Sequence, residues 1–252
     1  MYSLILATVI ALTNELGCAQ VESFGAHVLS YVPRGGKEVF FRQSPMRSTN
    51  EWFHGGVPIC WPWFGLEGDP GAAEHGFACR KEWSLVRLEN GAFESRAVFL
   101  LQEPGSYRLE YEVRLRDSLS MRLDMRNTGT RRFAVTAGFH PYFKVSNPTN
   151  VLITTPNGEI IRCRPGMDGR RPFAEGVYRV EDRECSTSLV LGMSGNNSIV
   201  VWNVGPDETL EGLAKDDWER YVCIEPAVIP RARGFYLYPG ETRRIGLTCA
   251  IR

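Results

Sequence analysis

The sequence carries no surplus of charge, no paired cysteine motif and no apolar run long enough to cross a bilayer. Its 29 basic side chains are balanced by 29 acidic ones. No global field is available to hold a polyanion, which excludes nucleic acid and acidic membrane surfaces as main partners. The seven cysteines are scattered at Cys18, Cys60, Cys79, Cys163, Cys185, Cys223 and Cys249. An odd count without a CxxC pair excludes a disulfide framework and a zinc site, and points to a reducing, cytoplasmic compartment. The apolar stretch Leu4 to Leu12 is too short to span a membrane. No basic residue precedes it, and Asn14 and Glu15 separate it from Leu16-Gly17-Cys18, so it reads as the start of a strand rather than a signal peptide.

Helical periodicity is scarce as well, and apolar runs of strand length alternate with turn residues from Gln20 onward. Between Tyr107 and Arg116, Tyr107, Leu109, Tyr111, Val113 and Leu115 point one way and charged residues the other. After a turn at Asp117-Ser118, Met121, Leu123 and Met125 alternate with Arg122, Asp124 and Arg126, so the two runs predict an antiparallel pair with one buried and one charged face. Ser84 to Leu101 reads as a hairpin turning at Asn90-Gly91, a dipeptide suited to a type I′ turn. Further strands are expected at Arg132 to Ala137, Val151 to Thr155, Ile199 to Trp202, Tyr221 to Glu225, Gly234 to Tyr238 and Arg243 to Ile251. Many strands, no repeat and no low-complexity linker predict an all-β protein, a large antiparallel β-sandwich formed by residues 1–252 as a single, monomeric domain. Arg162 to Arg183, rich in Arg, Gly and Pro, is expected to be a long surface loop.

One stretch is built like a site. His54-Gly55-Gly56-Val57-Pro58-Ile59-Cys60-Trp61-Pro62-Trp63-Phe64-Gly65 is followed about ten residues later by His75-Gly76-Phe77-Ala78. Paired glycines allow close backbone approach and the prolines exclude regular ladder bonding, while three aromatics crowd beside them. The same composition also serves as a plug at one end of a sandwich.

These two motifs, with Gly138-Phe139-His140-Pro141-Tyr142-Phe143, Val200-Val201-Trp202-Asn203 and Val222-Cys223-Ile224-Glu225-Pro226-Ala227, resemble the glucose-6-phosphate 1-epimerases, or hexose-6-phosphate mutarotases, of the aldose 1-epimerase superfamily. The likeness covers nearly the whole chain in order. It implies a galactose mutarotase-like supersandwich and the interconversion of α and β anomers of a hexose 6-phosphate. Ring opening needs a base for the C1 hydroxyl proton and an acid for the ring oxygen, so a carboxylate and an imidazole are sufficient, with neither metal nor cofactor.

Glu225 ends an apolar strand, and Pro226 after it is expected to stop the ladder and turn the chain away. By this resemblance Glu225 is the base and His140 the acid, with His75 assisting at the anomeric end. Trp61 and Trp202 are expected at the rim, offering faces to the pyranose ring. The family's usual RGG and HGFAR become His54-Gly55-Gly56 and His75-Gly76-Phe77-Ala78-Cys79 here, so the two arginines associated with the sugar phosphate are replaced by His54 and Cys79. Neither offers the planar, doubly donating fork that suits phosphate. Arg80 is a candidate substitute, as are Arg42, Arg170 and Arg171, and Glu175 stands where the family places an aspartate three residues before Tyr178. An unphosphorylated aldose and a non-catalytic carbohydrate-binding role are the alternatives.

Overall fold

The structure is a computed structural model that describes residues 8–43, 53–66, 72–172, 175–185, 188–229 and 236–252. Alternation sets its largest sheet. Leu109, Tyr111, Val113 and Leu115 of the strand Tyr107–Leu115 are fully buried, as are Leu119, Leu123 and Met125 of its partner Leu119–Asn127. The opposite face of this pair places Glu110 across from Asp124 and Glu112 across from Arg122. Glu112 is itself buried and ion-paired with Arg96, Arg114 and Arg122, and the like-charge contact is relieved because Glu110 pairs with Arg108 and Asp124 with Arg122 and Arg244.

These strands lie within a nine-stranded antiparallel sheet. Its order is Ile160–Arg162, Val151–Thr154, Gly176–Asp182, Ser188–Ser194, Thr242–Ile251, Leu119–Asn127, Tyr107–Leu115, Ser95–Glu103 and Ser84–Asn90. The second large sheet runs Asp168–Arg171, Ser198–Trp202, Tyr221–Val228, Ala137–Phe139 and Ile59–Cys60, with Tyr142–Lys144 also pairing to Tyr221–Val228. Val222 and Ile224 of the second sheet and Leu109 and Leu247 of the first belong to one apolar cluster, which joins the two sheets face to face. A three-stranded sheet of Val9–Asn14, Gly17–Glu22 and His27–Pro33 contributes Leu12, Val21 and Val28 to the same core.

Three local expectations are corrected. The Ser84–Asn90 and Ser95–Glu103 hairpin closes through four residues, with Gly91 N–H donating to the Glu94 carbonyl. Asn90 is drawn out of the turn because its side-chain oxygen accepts from Thr13 N–H and its amide reaches the Ala11 carbonyl. Most of 162–183 is not loop: Asp168–Arg171 pairs with Ser198–Trp202, and Gly176–Asp182 sits between two strands of the large sheet. Pro226 does not end its strand, which continues to Val228. On one side Pro226 lies opposite Ile199; on the other, pairing jumps from Gly138 opposite Ala227 to Tyr142 opposite Cys223. The Ala227 carbonyl faces the Ser198–Trp202 side, where it accepts from Asn197 N–H, so the proline nitrogen faces the interrupted side and breaks no ladder bond.

Candidate active site

The interruption opposite Pro226 is where the site forms. His140 leaves the short strand Ala137–Phe139 and its backbone N–H donates to the Pro58 carbonyl. Glu225 projects from the neighbouring Tyr221–Val228, on the same side of the sheet as Tyr221 and Cys223 by the two-residue period. His140 Nε2 and Glu225 Oε2 come to 3.6 Å on the wall of a hollow of about 320 Å³, a volume at the small end of ligand pockets. Both residues are almost wholly buried, and Glu225 Oε2 has no hydrogen-bond partner among the described residues. A carboxylate oxygen buried in this way is costly unless something that enters the hollow satisfies it.

The aromatic and imidazole neighbours fix the His140 ring. It stacks on Tyr142, with centroids 4.9 Å apart, and meets His75 and Trp202 edge-on at 5.1 and 5.7 Å. His75 stands at φ 62°, a left-handed conformation unusual for a residue with a Cβ. Gly65 N–H donates to its Nδ1, which leaves the proton on Nε2, 3.4 Å from Glu74 Oε1. Gly76 follows at φ 74°, and a Cβ there would sit 2.2 Å from the Trp61 carbonyl oxygen. The His75 loop can therefore lie this close to the Trp61 segment only with glycine at 76. The same logic holds at Gly56, φ 58°, where a Cβ would fall 2.1 Å from the Val28 carbonyl oxygen. His54, two residues earlier, places its Nδ1 3.1 Å from the Tyr142 hydroxyl.

Burial governs the protonation states. It pushes the Glu225 carboxyl well above the usual carboxylate range, with Asp168 adding repulsion, and holds His140 well below the usual imidazole range. His75 is held down to about 3 and His54 to about 4, in both cases chiefly by desolvation. Both shifts favour the neutral forms of the pair, an arrangement in which one shared proton sits on the carboxyl rather than on the imidazole. Cys223 brings its thiol into the same group, all donor atoms lying within 4.8 Å of one another, and these three are the described residues able to offer a metal three ligands. Burial keeps that thiol protonated, the form that binds metals poorly.

His54, His75, Arg80, His140, Trp202 and Glu225 are thus brought together around one hollow. Two other candidates are not. Trp61 is 1% exposed and packs among Phe77, Tyr107 and Phe133, so it belongs to the core and offers no face to a ligand. Glu175 accepts from Gly195 N–H beside the charged face of the nine-stranded sheet, because its strand lies in that sheet and not in the one that carries the hollow. Arg170 reaches the hollow, whereas Arg171 pairs with Glu159 outside it. Asn203 holds structure: its amide donates to the Trp218 and Tyr221 carbonyls, and its oxygen accepts from Gly205 N–H. Sequence reasoning missed Glu74, Asp168, Glu208 and Glu211, acidic residues of the wall without a motif of their own.

The sequence signature of the family described as Aldose 1-epimerase matches residues 8–162. A Salmonella typhimurium protein named "Putative glucose-6-phosphate 1-epimerase" is 28% identical over 225 residues, covering 80% of this chain and 76% of that protein. Among solved structures, one described as "a putative mutarotase" from Salmonella typhimurium superposes with a TM-score of 0.88 at 22% identity, over 99% of this chain and 92% of that one. A galactose mutarotase related enzyme from Lactobacillus acidophilus reaches 0.75 at 12% identity, with 97% of each chain covered. The fold is the galactose mutarotase-like sandwich.

Proposed function

Because the chain belongs to the aldose 1-epimerase family, we propose that its hollow opens and recloses an aldose ring between Glu225 and His140. The protein is an isomerase, and its substrate is a sugar or a sugar phosphate. The observation that carries the assignment is the His140 Nε2 to Glu225 Oε2 approach at 3.6 Å, with that carboxyl oxygen lacking a hydrogen-bond partner among the described residues.

The chemistry follows from one shared proton. Sugar hydroxyls entering the hollow donate to Glu225 and favour its ionised form, so the proton moves to His140. Glu225 then takes the proton of the C1 hydroxyl while His140 protonates the ring oxygen. The bond between C1 and the ring oxygen breaks, C1 becomes an aldehyde, and rotation about C1–C2 presents its other face. Closure runs the same transfers backward and returns both groups to their starting state. The pair begins and ends with one proton, so no outside acid or base is consumed. His75, with its proton on Nε2, serves as a donor beside the anomeric centre, and the half-buried Trp202 offers the ring face expected of Trp61.

Anomeric exchange followed by saturation-transfer NMR on freshly dissolved α-anomers tests this reading. Glu225→Gln and His140→Ala are each expected to lower the exchange rate by roughly 10²–10⁴-fold with the circular dichroism unchanged. A full rate in either variant removes that residue from the mechanism. No described helix is long and apolar enough to cross a membrane. Five of the seven cysteines are buried, and their odd count without a CxxC pair supports placing the protein in a reducing compartment such as the cytoplasm.

A further inference from the structure

Among the described residues, the hollow is lined by more negative than positive charge. Besides Glu225, four carboxylates line it, Glu74, Asp168, Glu208 and Glu211, against the guanidinium groups of Arg80 and Arg170. Both guanidinium groups are engaged. Arg80 Nη1 donates to the Glu74 and Gly76 carbonyls at 2.9 Å each and so fastens the loop that carries His75. Arg170 Nε faces Asp168 Oδ1 at 3.6 Å. Glu208 and Glu211 have no ion-pair partner among the described residues, so the acidic surplus is concentrated on the segment after Trp202. Burial disfavours the charged form of the three imidazoles of the wall, and the proton that passes to His140 when a sugar binds comes from Glu225, so the transfer leaves the net charge of the wall unchanged.

Carboxylates only accept hydrogen bonds, and the groups that satisfy them are hydroxyls or, better, an ammonium with its three donors. A phosphate dianion offers acceptors alone and adds repulsion. We infer that the hollow selects an aldose without an anionic substituent, and that an amino aldose in its protonated form binds better than its neutral counterpart. This rests on the reading of the same site as a mutarotase, and it departs from the substrate in the name of the Salmonella relative.

Three sugars with one ring configuration decide the matter: glucose, glucosamine and glucose 6-phosphate, compared at pH 6.5 in low and in physiological salt. Exchange kinetics on the natural protein give kcat/KM, and ligand NMR titration of Glu225→Gln gives Kd. The expected order is glucosamine, then glucose, then glucose 6-phosphate, with steps of roughly five- to tenfold at low salt that shrink as the Debye length falls from about 30 Å to about 8 Å. Glu208→Gln combined with Glu211→Gln is expected to narrow the spread by roughly fivefold. Glucose 6-phosphate bound or exchanged better than glucose overturns the inference, as does a spread indifferent to salt and to the double substitution. Absence of exchange with every sugar defeats the ring-opening reading instead. In that event the Kd order still decides the charge class: glucosamine tightest upholds it, and phosphate tightest, or no binding of any of the three, overturns it.

Discussion

His54 ties the site to the pH dependence of folding in a way that yields a number. Its side chain is 8% exposed, lies against the Tyr142 hydroxyl and is hydrogen-bonded to the Glu211 backbone. Desolvation holds it at about 4, against 6.5 for the free imidazole. Between those two values the unfolded chain binds a proton that the native chain refuses. Native stability therefore rises with pH across this window and is lost as pH falls from 6.5 toward 4. At 1.36 kcal/mol per pH unit, the full interval is worth about 3 kcal/mol, and the part between pH 6.5 and pH 5 about 2 kcal/mol.

The perturbation is His54→Gln, which keeps a polar side chain against Tyr142 but cannot titrate. Urea unfolding of both proteins at pH 7 and pH 5 gives four free energies. Every other titrating group is common to the two proteins and cancels in the double difference. This includes Glu225, whose raised value gives a slope of opposite sign. The natural protein is expected to lose about 2 kcal/mol more than the variant between the two pH values. A double difference below about 0.5 kcal/mol would mean that the imidazole charges at its solution value. The neutral wall on which charge selection in the hollow rests would then be refuted at this residue.

Two further tests separate core from site. Trp61→Ala is expected to cost about 3–5 kcal/mol of stability by urea unfolding, whereas Trp202→Ala, at the half-buried wall, is expected chiefly to raise KM in the exchange assay. Equal effects of the two on KM at unchanged stability would contradict their placement. Glu225→Gln carries a stability signature as well as a catalytic one. A carboxyl raised in the native state binds more protons there than in the unfolded chain, so the natural protein loses stability as pH rises from about 4.5 toward the raised value. The advantage of the variant over the natural protein in urea is therefore expected to grow between pH 5 and pH 8, and a constant advantage would show that Glu225 ionises freely.

Periodicity made the large sheet legible. Tyr107–Leu115 and Leu119–Asn127 alternate strictly because one face meets the core and the other meets Arg96, Arg122 and Arg244. Asp168–Arg171 was hidden for the converse reason: as an edge strand with no buried residue it has no alternation to read. The aromatics of the glycine-rich stretch follow no period at all, and whether Trp61 or Trp202 faces the hollow is decided by what packs above each ring. Glu175 was misplaced because position relative to Tyr178 says nothing about which sheet the strand joins. His140 and Glu225 were reached through motif resemblance, since a lone histidine and a lone glutamate 85 positions apart carry no spacing signal.

The place where sequence reasoning erred about Pro226 explains why those two residues meet. A proline in the second sheet is tolerated only where its missing N–H faces no partner. The ladder supplies such a place between the Gly138 and Ala227 pair and the Tyr142 and Cys223 pair. Phe139, His140 and Pro141 cross that gap without ladder pairing to Ile224, Glu225 and Pro226. Freed from the regular path, His140 turns toward the pocket side of the sheet, where the strand period already presents Glu225. The interruption that accommodates Pro226 is thus the same one that brings an imidazole and a carboxyl from distant parts of the chain to 3.6 Å. The acid–base pair is a consequence of where the sheet stops pairing.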